Sequence, residues 1–463
     1  MTFQPVILST DALIVLLIAV LCGFVLYARQ HAHLRAPWQQ VARRPMAMAA
    51  ACVLVVYVVI GLADSLHYRA KLADSEGYSA KITSVLDALL KPLSRRSEKT
   101  YSAPFATRSF MMEAVEKPDG QIIREYPRLR HGGAHLKNED ERGADIAIRS
   151  AGAFFIALVI LSVCVFVFLA AFRRSGEAFT TAWHRLRRGE TELPWRTILV
   201  TLGLMLVLAT WLWKLAPYYH VLGTDKVGQD VLLKSIKSIR TGLMIGTLTT
   251  LVMLPFALAL GVMAGYFRGW IDDAIQYLYT TLSSIPGVLL IAAAILSLQV
   301  YMAGHAEAFT SVTERADARL LFLCLILGIT SWTGLCRLLR GETLKLREID
   351  YIQAAHALGV SHARIMSRHL VPNVMHIVLI AVVLDFSVLV LAEAVLSYVG
   401  VGVDPTMDSW GNMINSARLE MARDPMVWWS LMAAFVFMFA LVLAANLFAD
   451  AVRDALDPRL RAR

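Results

Sequence analysis

The sequence has little charge for its length. Only 17% of the 463 residues are charged and 57% are hydrophobic, whereas a soluble domain usually has about 25% charged and about 45–50% apolar residues. This composition excludes a disordered protein and disfavours a water-soluble enzyme. Length alone would correspond to roughly three soluble domains, but the apolar excess predicts a bundle of membrane-spanning helices.

Cysteine is also scarce. All five cysteines lie in apolar runs, and their spacing matches no metal site: Cys22, Cys52, Cys164, Cys324 and Cys336. They are predicted to be small core residues and not a disulfide framework. The net charge is +9, and in a membrane protein such an excess collects in cytoplasmic loops. We therefore expect no metal site and no nucleic-acid partner.

Long apolar runs are what the sequence has instead. A helix that crosses the hydrocarbon core of a bilayer needs about 20 apolar residues. Eight apolar runs contain no Asp, Glu, Lys or Arg. A ninth run contains two charged residues, Asp385 and Glu393. Pro286 divides the longest run. The sequence therefore predicts an all-α polytopic membrane protein with about nine spans. These are 12–28, 45–63, 150–172, 197–213, 241–267, 274–306, 320–336, 374–398 and 426–449.

Positive charge is concentrated in three loops, 29–44, 173–196 and 337–373. Nine alternating spans place these loops on one side of the membrane, and Lys and Arg favour short cytoplasmic loops. The N-terminus is then predicted to lie outside and the C-terminus in the cytoplasm. One loop disagrees, since 214–240 also carries five Lys and Arg residues but lies outside by this count.

Residues 64–149 separate the second and third spans and are predicted to form an external unit. Six apolar residues at helical spacing predict one amphipathic helix across 78–90. The stretch 102–133 contains Pro-Asp-Gly at 118–120 and predicts an irregular or β-containing unit. Its role is open between a packing cap on the helices and a contact site for substrate.

The cytoplasmic stretch 350–373 has the most informative pattern. It predicts a short helix, 350–358, in which three alanines leave a low surface that another protein can approach. Gly359 is predicted to end this helix in the left-handed conformation, and Ser361 to cap a second short helix. Pro372 is predicted to close that helix before the next span. Such a helix is a natural docking element, and the alternative is an ordinary basic loop.

This stretch resembles the EAA loop of bacterial ABC-importer permeases, in which Glu-Ala-Ala is followed by Gly and later by Pro. Ala354, Ala355, Gly359 and Pro372 match, and Gln353 replaces the Glu. An Arg-His-x-x-Pro-Asn ending is typical of the dipeptide/oligopeptide branch. The predicted ATPase-coupling residues are Tyr351, Gln353, Ala354, Ala355, Gly359, Arg364, His369 and Pro372.

Two further stretches resemble the same branch. In that branch, the stretch before the second core span resembles five residues of this sequence, which we call the external motif: Gly223, Thr224, Asp225, Gly228 and Asp230. Gln229 stands where Arg is usual. The branch's segment after the fifth core span is similar to 393–413. The resemblance covers 197–463 and six spans, which it identifies as a type I ABC-importer permease core. The predicted parts are two N-terminal helices (1–63), the external unit (64–149), a third helix with a basic linker (150–196) and the core (197–463).

The resemblance implies a permease subunit that forms a translocation path for peptides or similar small solutes. It implies a second, usually different, permease chain, two cytoplasmic ABC ATPase subunits and an external substrate-binding protein. The location implied is the bacterial inner membrane, in contact with lipid. The chain is expected to be non-catalytic and to bind no cofactor, with ATP hydrolysed by its partners. Gly223-x4-Gly228 has the glycine spacing of a phosphate loop but continues with Gln-Asp instead of Lys-Ser/Thr.

Four residues are candidates for the translocation path or its gate. Asp385 lies midway along the eighth span, where a charge is costly unless paired or hydrated, so it is either a path residue or a hydrogen-bonded packing residue. Glu393, nearer the external end, is open to the same two interpretations. Ser409 and Trp410 are predicted to lie in a loop that shapes the outer mouth. The pair 428–429 is predicted to be an interfacial aromatic belt.

Other classes of membrane protein explain less. An ion-coupled secondary transporter could use Asp385, but it would be expected to show inverted repeats with broken helices, and no second copy is found. An intramembrane hydrolase needs a nucleophile elbow or a His-Glu-x-x-His helix, and the sequence has neither. A membrane scaffold with another partner for 350–373 is an open alternative. Dipeptides, oligopeptides, nickel, glutathione and antimicrobial peptides are equally open as cargo.

Overall fold

The computed structural model describes residues 3–30, 32–71, 78–116, 122–172, 179–305, 307 and 311–456. Within these residues eight helices are long and apolar enough to cross a membrane, and a shorter apolar helix precedes them. They correspond one to one with the predicted spans. The prediction of an all-α polytopic membrane protein with about nine spans is therefore confirmed.

The elements have the following bounds. The helices are α1 (Ser9–Gln30), α2 (Ala32–Arg43), α3 (Pro45–Ser65), α4 (Val85–Leu89), α5 (Lys91–Ser94), α6 (Arg142–Phe172), α7 (Phe179–Arg188), α8 (Trp195–Leu215), α9 (Val231–Phe267), α10 (Gly269–Ser284), α11 (Gly287–Gly304), α12 (Val312–Arg347), α13 (Asp350–Ala357), α14 (His362–Ile365), α15 (Val371–Tyr398), α16 (Trp410–Glu420) and α17 (Trp429–Leu456). The strands are β1 (Phe3–Val6), β2 (His67–Lys71), β3 (Tyr78–Ser84), β4 (Glu113–Glu116) and β5 (Ile122–Glu125).

Several helix boundaries follow from local sequence. Pro45 is in the first turn of α3, where its fixed φ suits a helix and its missing N–H has no helical partner. The side chain of Ser311 accepts the Glu314 N–H at 3.0 Å and caps α12. Pro286 separates α10 from α11, so the longest apolar run is two helices, as its proline indicated.

Two helices are longer than a bilayer requires. The 37 residues of α9 extend over about 55 Å at 1.5 Å per residue, against a hydrocarbon core of about 30 Å. The extra length comes at the start, because α9 begins at Val231 and not at the predicted residue 241. The 36 residues of α12 likewise extend past both ends of the predicted span.

The chain forms two compact units. The first comprises the residues up to Pro5, Trp38–Arg240 and Asp408–Phe448, and the second comprises Val6–Pro37, Thr241–Met407 and the residues from Ala449 onward. Helix α8 packs against both α3 and α6 in the first unit. The second unit contains a core in which α9, α12 and α15 contribute buried residues.

Within the second unit, α9 and α12 approach closely. A β-carbon on Gly261 would lie 2.9 Å from the Cys336 carbonyl oxygen, and one on Gly265 would lie 2.7 Å from that of Arg340. Both distances are shorter than an ordinary carbon–oxygen contact, so the small residues allow these backbones to meet. The first helix also joins this unit, since the Thr10 N–H donates to the Asp317 carboxylate at 3.2 Å.

The external segment contains strands where the sequence predicted a helix. Tyr78–Ser84 is β3, and it pairs antiparallel with β2 so that Ser84 lies opposite His67. Ser84 and Asp87 form a capping box in which each side chain accepts the other's N–H at 3.0 Å. The box starts α4 at Val85. The prediction of one helix across 78–90 is therefore wrong, because pairing with β2 overrides the helical spacing before the cap.

The later part of this segment contains a short antiparallel ribbon. Strand β4 pairs with β5, and Glu113 lies opposite Glu125. This confirms the prediction of a β-containing unit in 102–133. The Pro-Asp-Gly turn at 118–120 lies outside the described residues, as do Arg173 and Arg174 of the basic linker.

Candidate functional site

The first half of the predicted coupling loop is a short helix with a glycine turn. The Leu358 N–H donates to the Ala354 carbonyl at 2.9 Å, and the Val360 N–H donates to the Ala355 carbonyl at 3.1 Å. Between them Gly359 has φ of +75°. This is the left-handed helix end that glycine takes at low energy, as predicted for this position.

The second half of the loop differs from the prediction. Helix α14 runs through a wider π-type turn, Met366–Leu370, directly into α15. Pro372 lies in the first turn of α15 and does not close a separate helix. This wider turn lies just before Pro372, which has no N–H to donate to a regular helical hydrogen bond. Ser361 occupies the cap position of α14, but its side chain makes no capping bond.

Helix α13 buries one face and exposes the other. Ile352 is 2% exposed and belongs to the core of the second unit, with Ile365 and Leu370. On the opposite face Tyr351 is 44% exposed and Leu358 is 83% exposed. Gln353, Ala354 and Arg364 are also exposed. An exposed leucine beside a tyrosine and small residues makes an apolar contact surface on a rigidly anchored helix.

The two halves of the loop are tied together by a residue of the family-type ending. The Asn373 side-chain amide donates to the Tyr351 hydroxyl at 2.9 Å and to the His369 carbonyl at 2.6 Å. The Gln353 side chain turns back and donates to the Glu348 carbonyl at 3.2 Å. The exposed face of α13 is therefore held in one orientation.

Polar contacts also fix the loop to longer helices of the second unit. The Tyr266 hydroxyl at the end of α9 lies 2.8 Å from His362 Nδ1, and Arg347 donates to the Tyr266 carbonyl at 2.7 Å. Arg340 on α12 forms a bidentate pair with Asp272 on α10, with both bonds at 2.6 Å. A bidentate pair resists rotation. These contacts hold α14 to α9, and they join α12 to both α9 and α10.

The external motif forms a tight turn at the start of α9. The Asp225 carboxylate accepts the N–H groups of Val227 at 3.0 Å and Gln229 at 2.8 Å. The Asp230 carboxylate accepts the Leu232 N–H at 2.9 Å and caps α9. Gly228 has φ of +74°, so an L-residue there would be strained.

The segment after α5 lies directly on this motif. The Thr224 hydroxyl accepts the Ser102 N–H at 2.7 Å and donates to the Thr100 carbonyl at 2.9 Å, and the Thr224 N–H donates to the Ser102 carbonyl at 3.0 Å. A β-carbon on Gly223 would lie 2.5 Å from the Ser102 carbonyl oxygen. The motif glycine therefore provides room for the backbone of 98–110.

A buried charged cluster reinforces this contact. His220 Nδ1 lies 2.8 Å from the Asp230 carboxylate, and Nε2 lies 3.4 Å from that of Glu98. Glu98 also accepts the backbone N–H groups of residues 130, 131 and 132 at 2.8–3.1 Å. Burial favours neutral His220, but the two carboxylates outweigh it and raise the pKa to about 9. Burial likewise raises the pKa of Glu98, but His220 and the backbone donors outweigh it and lower that pKa to about 2.

A second cluster joins the same segments through Lys237. Its ammonium lies 2.9 Å from the Asp87 carboxylate and 3.6 Å from that of Asp408. Ser84 donates to Asp64 at 2.7 Å beside it. Burial raises the pKa of Asp87, but Lys237 and Ser84 outweigh it and hold the pKa below its usual value. One lysine therefore ties α9 to α4 and to the segment before α16.

Comparison with known proteins decides the family. The family model described as "Binding-protein-dependent transport system inner membrane component" matches residues 257–462. The oligopeptide transport system permease protein OppC of Mycobacterium tuberculosis is 34% identical over 242 residues, which are 52% of this chain and 77% of that protein. The chain belongs to the ABC-importer permease family. It is therefore a multi-pass inner-membrane subunit, and permeases of this family work with ATPase and substrate-binding partners.

Two other relatives of the permease are similar over comparable lengths. The glutathione transport system permease protein GsiD of Pectobacterium atrosepticum is 32% identical over 244 residues, 52% of this chain and 73% of that protein. The dipeptide transport system permease protein DppC of Bacillus subtilis is 27% identical over 293 residues, 60% of this chain and 85% of that protein. A solved structure of the MetNI methionine ABC transporter overlaps 48% of this chain and 96% of that chain at 16% identity, and its TM-score of 0.38 is too low to support a conclusion.

Two of the candidate gate residues, Ser409 and Trp410, lie in the first unit. The Ser409 side chain accepts the Asn412 N–H at 3.0 Å and caps α16. Trp410 is 1% exposed, and its indole donates to the Ser235 carbonyl at 3.1 Å. Trp429 is 2% exposed and donates to the Thr224 carbonyl at 2.9 Å, so its assignment to an interfacial belt is wrong. Trp428 is 47% exposed, which fits such a belt.

The other two candidates lie on α15 in the second unit and differ from each other. Asp385 is half-buried and has no hydrogen-bond or ion-pair partner among the described residues. Glu393 is 2% exposed and accepts the Ser397 hydroxyl at 2.7 Å. A β-carbon on Gly402 would lie within 2.7 Å of the Ser397 backbone. These contacts place Glu393 in the packing at the end of α15.

Sequence reasoning identified the coupling loop and the external motif but missed the residues that hold them. No motif position pointed to Leu358, Tyr266, Glu98 or His220. A signal was available for His220, since a histidine and a second acid flank the Gly-Thr-Asp sequence within ten residues on either side. No comparable signal marked Glu98, because its partners lie far away along the chain.

Proposed function

We propose that this permease forms one half of the translocation path of an importer for peptides or small peptide-like solutes. The observation that carries the proposal is the exposed face of α13, where Tyr351 and Leu358 face outward while Ile352 is buried in the core formed with α9, α12 and α15. Peptides are favoured as cargo because the named relatives transport oligopeptides, dipeptides and glutathione.

The α13 face docks in a cleft of one cytoplasmic ABC ATPase subunit. The ATPase subunits hydrolyse ATP, and this chain contributes no catalytic group. Closure of an ATPase dimer displaces α13, which moves α12 through the core that Ile352 shares with it. The bidentate Arg340–Asp272 pair then passes the displacement from α12 to α10. A second, different permease chain supplies the other half of the path. An external binding protein delivers the solute.

The N-terminus lies outside and the C-terminus lies in the cytoplasm in this arrangement. The basic loop 214–240, with five Lys and Arg residues, opposes the charge rule. Lys234 is ion-paired with Asp225, and Lys237 is paired with Asp87 and Asp408. These pairs do not remove the disagreement, because the rule counts Lys and Arg and gives Asp and Glu little weight. The support for this orientation is thus the three arginine-rich loops.

Asp385 lines the path. A carboxylate midway along a membrane helix is stable when it faces water or a polar partner, and Asp385 has neither an ion pair nor a hydrogen bond among the described residues. A hydrated path between two permeases supplies that environment. Glu393, by contrast, accepts the hydroxyl of Ser397, the residue that packs against Gly402.

The test compares Leu358→Asp with the matched control Leu89→Asp. Both leucines are exposed, 83% and 68%, and Leu89 lies in the segment predicted to be external. A tagged permease is purified from its own membranes, and co-purifying ABC ATPase and ATP-dependent uptake of labelled di- and trialanine are measured. We expect Leu358→Asp to lose most of both signals and Leu89→Asp to retain them.

Two results would contradict the proposal. Full ATPase co-purification with Leu358→Asp would remove α13 as the docking surface. Uptake in proteoliposomes that contain the permease and an ion gradient, but no ATPase, would identify a secondary transporter instead.

A further inference from the structure

The helix α7 has a basic surface that the import function does not use. It belongs to the part of the chain that precedes the family match. Its sequence from Phe179 to Arg188 contains Arg185, Arg187 and Arg188 and no acidic residue. All three arginines lie in its last turn, where positive side chains interact favourably with the helix dipole.

The position of α7 relative to two membrane helices follows from chain length and packing. The chain leaves α6 at Phe172 and enters α8 at Trp195, and α7 contacts both helices. Ala182 and Leu186 are buried against Leu169 of α6 and Trp195 of α8. Since α6 and α8 both end here, α7 is held where two spans leave the bilayer.

The remaining faces of α7 are exposed. His184, Arg187 and Arg188 are exposed, and Trp183 is 43% exposed. Arg188 has only a loose pair with Glu190, at 3.9 Å and with both side chains more than 60% exposed. An exposed tryptophan beside exposed arginines is the composition of a helix that lies in the headgroup region of a membrane.

We propose that α7 binds the phosphate groups of anionic phospholipids in the leaflet at this end of α6 and α8. The arginines supply charge for the phosphates, and Trp183 lies at the level of the glycerol and headgroups. Across 173–192 five arginines are accompanied by three acids, Glu177, Glu190 and Glu192, so this segment has a net charge of 5 − 3 = +2. A bacterial inner membrane offers phosphatidylglycerol and cardiolipin as such lipids. The arginine surface thereby fixes the depth of α6 and α8 in the bilayer.

The test measures lipid binding to the full chain in a neutral detergent. The probe is phosphatidylglycerol with a fluorescent acyl chain, displaced by unlabelled phosphatidylglycerol, phosphatidylcholine or inorganic phosphate. Each arginine near an anionic surface contributes about fivefold in affinity. We therefore expect Arg187→Gln with Arg188→Gln to raise the Kd for phosphatidylglycerol about 25-fold, and Arg187→Lys with Arg188→Lys to change it less than twofold.

The matched control is Arg95→Gln with Arg96→Gln, which removes two adjacent arginines from the segment after α5. It is expected to leave the Kd unchanged, and a loss of binding there would show that total charge and not α7 is responsible. Unchanged binding by the Arg187 and Arg188 glutamine variant would overturn the proposal. So would displacement by inorganic phosphate as effective as by phosphatidylglycerol. Loss of co-purifying ATPase with lipid binding intact would show that the surface binds protein.

Discussion

Gly228 and Glu98 are in backbone contact so close that a β-carbon on Gly228 would lie 2.0 Å from the Glu98 carbonyl oxygen. The Glu98 N–H donates to the Gly228 carbonyl at 2.9 Å. Glu98 belongs to residues 1–196, the N-terminal extension that precedes the six-span core. A residue of this extension and a residue of the external family motif thus share one site. The extension is therefore part of the structure that holds this motif, and not only an addition to a finished permease core.

Gly228→Ala should destabilise this permease strongly, because the new β-carbon meets backbone atoms that cannot move aside. Gly189→Ala is the matched control, since Gly189 has φ of +75° and nothing lies within 4 Å of its β-position. The control should lose only about 1–2 kcal/mol from left-handed strain. The Tm in detergent measures both. Equal changes in Tm would mean that the Glu98 contact is not formed.

The His220 cluster should make stability fall at alkaline pH. The pKa of His220 is raised to about 9 in the folded chain from an ordinary 6.5, so its contribution is complete below about pH 6.5 and is lost as pH rises through 9. The pKa of Glu98 is lowered to about 2 from 4.5, so its contribution is complete above about pH 4.5 and is lost as pH falls through 2. We expect the Tm to fall between pH 7 and 9.5. His220→Gln should flatten this part of the profile, and a wild-type slope retained by the variant would rule out the assignment.

Lys237→Met should remove the ammonium that the carboxylates of Asp87 and Asp408 share. Removing one partner of a largely buried ion pair typically destabilises a protein by about 3 kcal/mol or more. Lys99→Met is the control, because the Lys99–Glu113 pair is exposed on the lysine side and should contribute under about 1 kcal/mol. The Tm of each variant in thermal denaturation measures the two losses. A smaller loss at Lys237 than at Lys99 would contradict the description of this cluster.

Gly359→Val should weaken coupling without a steric clash. Nothing lies within 4 Å of the β-position of Gly359, and its φ of +75° is strained for a β-branched residue. Gly359→Asn is the conservative variant, because asparagine tolerates the left-handed region. We expect ATPase co-purification and ATP-dependent uptake to fall in the valine variant and to persist in the asparagine variant. Normal coupling with valine would show that the turn can be rearranged freely.

Asp385→Asn and Glu393→Gln should affect different properties. Asp385 has no partner among the described residues, so its substitution should lower peptide uptake and leave the Tm nearly unchanged. Glu393 is buried on Ser397, so its substitution should lower the Tm first. The two measurements on each variant decide the matter, and a large loss of Tm with Asp385→Asn would place that carboxylate in the packing.

The spans and the coupling loop could be predicted because their signals are local. An apolar run of about 20 residues specifies a membrane helix with little help from distant residues, and Gly359 ends α13 by its own backbone freedom. The external segment is different. The helical spacing in 78–90 was real, but β2 offered a pairing edge and the Ser84–Asp87 box began the helix late.

The environment of the external motif could not be predicted for a similar reason. The residues 223–230 were recognisable, but the sequence does not tell which distant backbone fills the space beside a glycine. Trp429 shows the same limit, because an aromatic residue at the end of a span suggests an interfacial belt until its indole is found bonded to Thr224. Pro372 failed for a local reason, since a wider turn admits a proline within a continuous helix.

The contact between the extension and the external motif joins residues that are synthesised at different times. Glu98 is synthesised 122 residues before His220, and Ser102 is synthesised 122 residues before Thr224. At about 5–20 residues per second, the interval is roughly 6–24 s. During that time the segment 98–110 can contact residues 127–132 but lacks its partners at 220–228. Substitutions in this segment should therefore reduce the yield of assembled permease more than the transport activity of the molecules that do assemble.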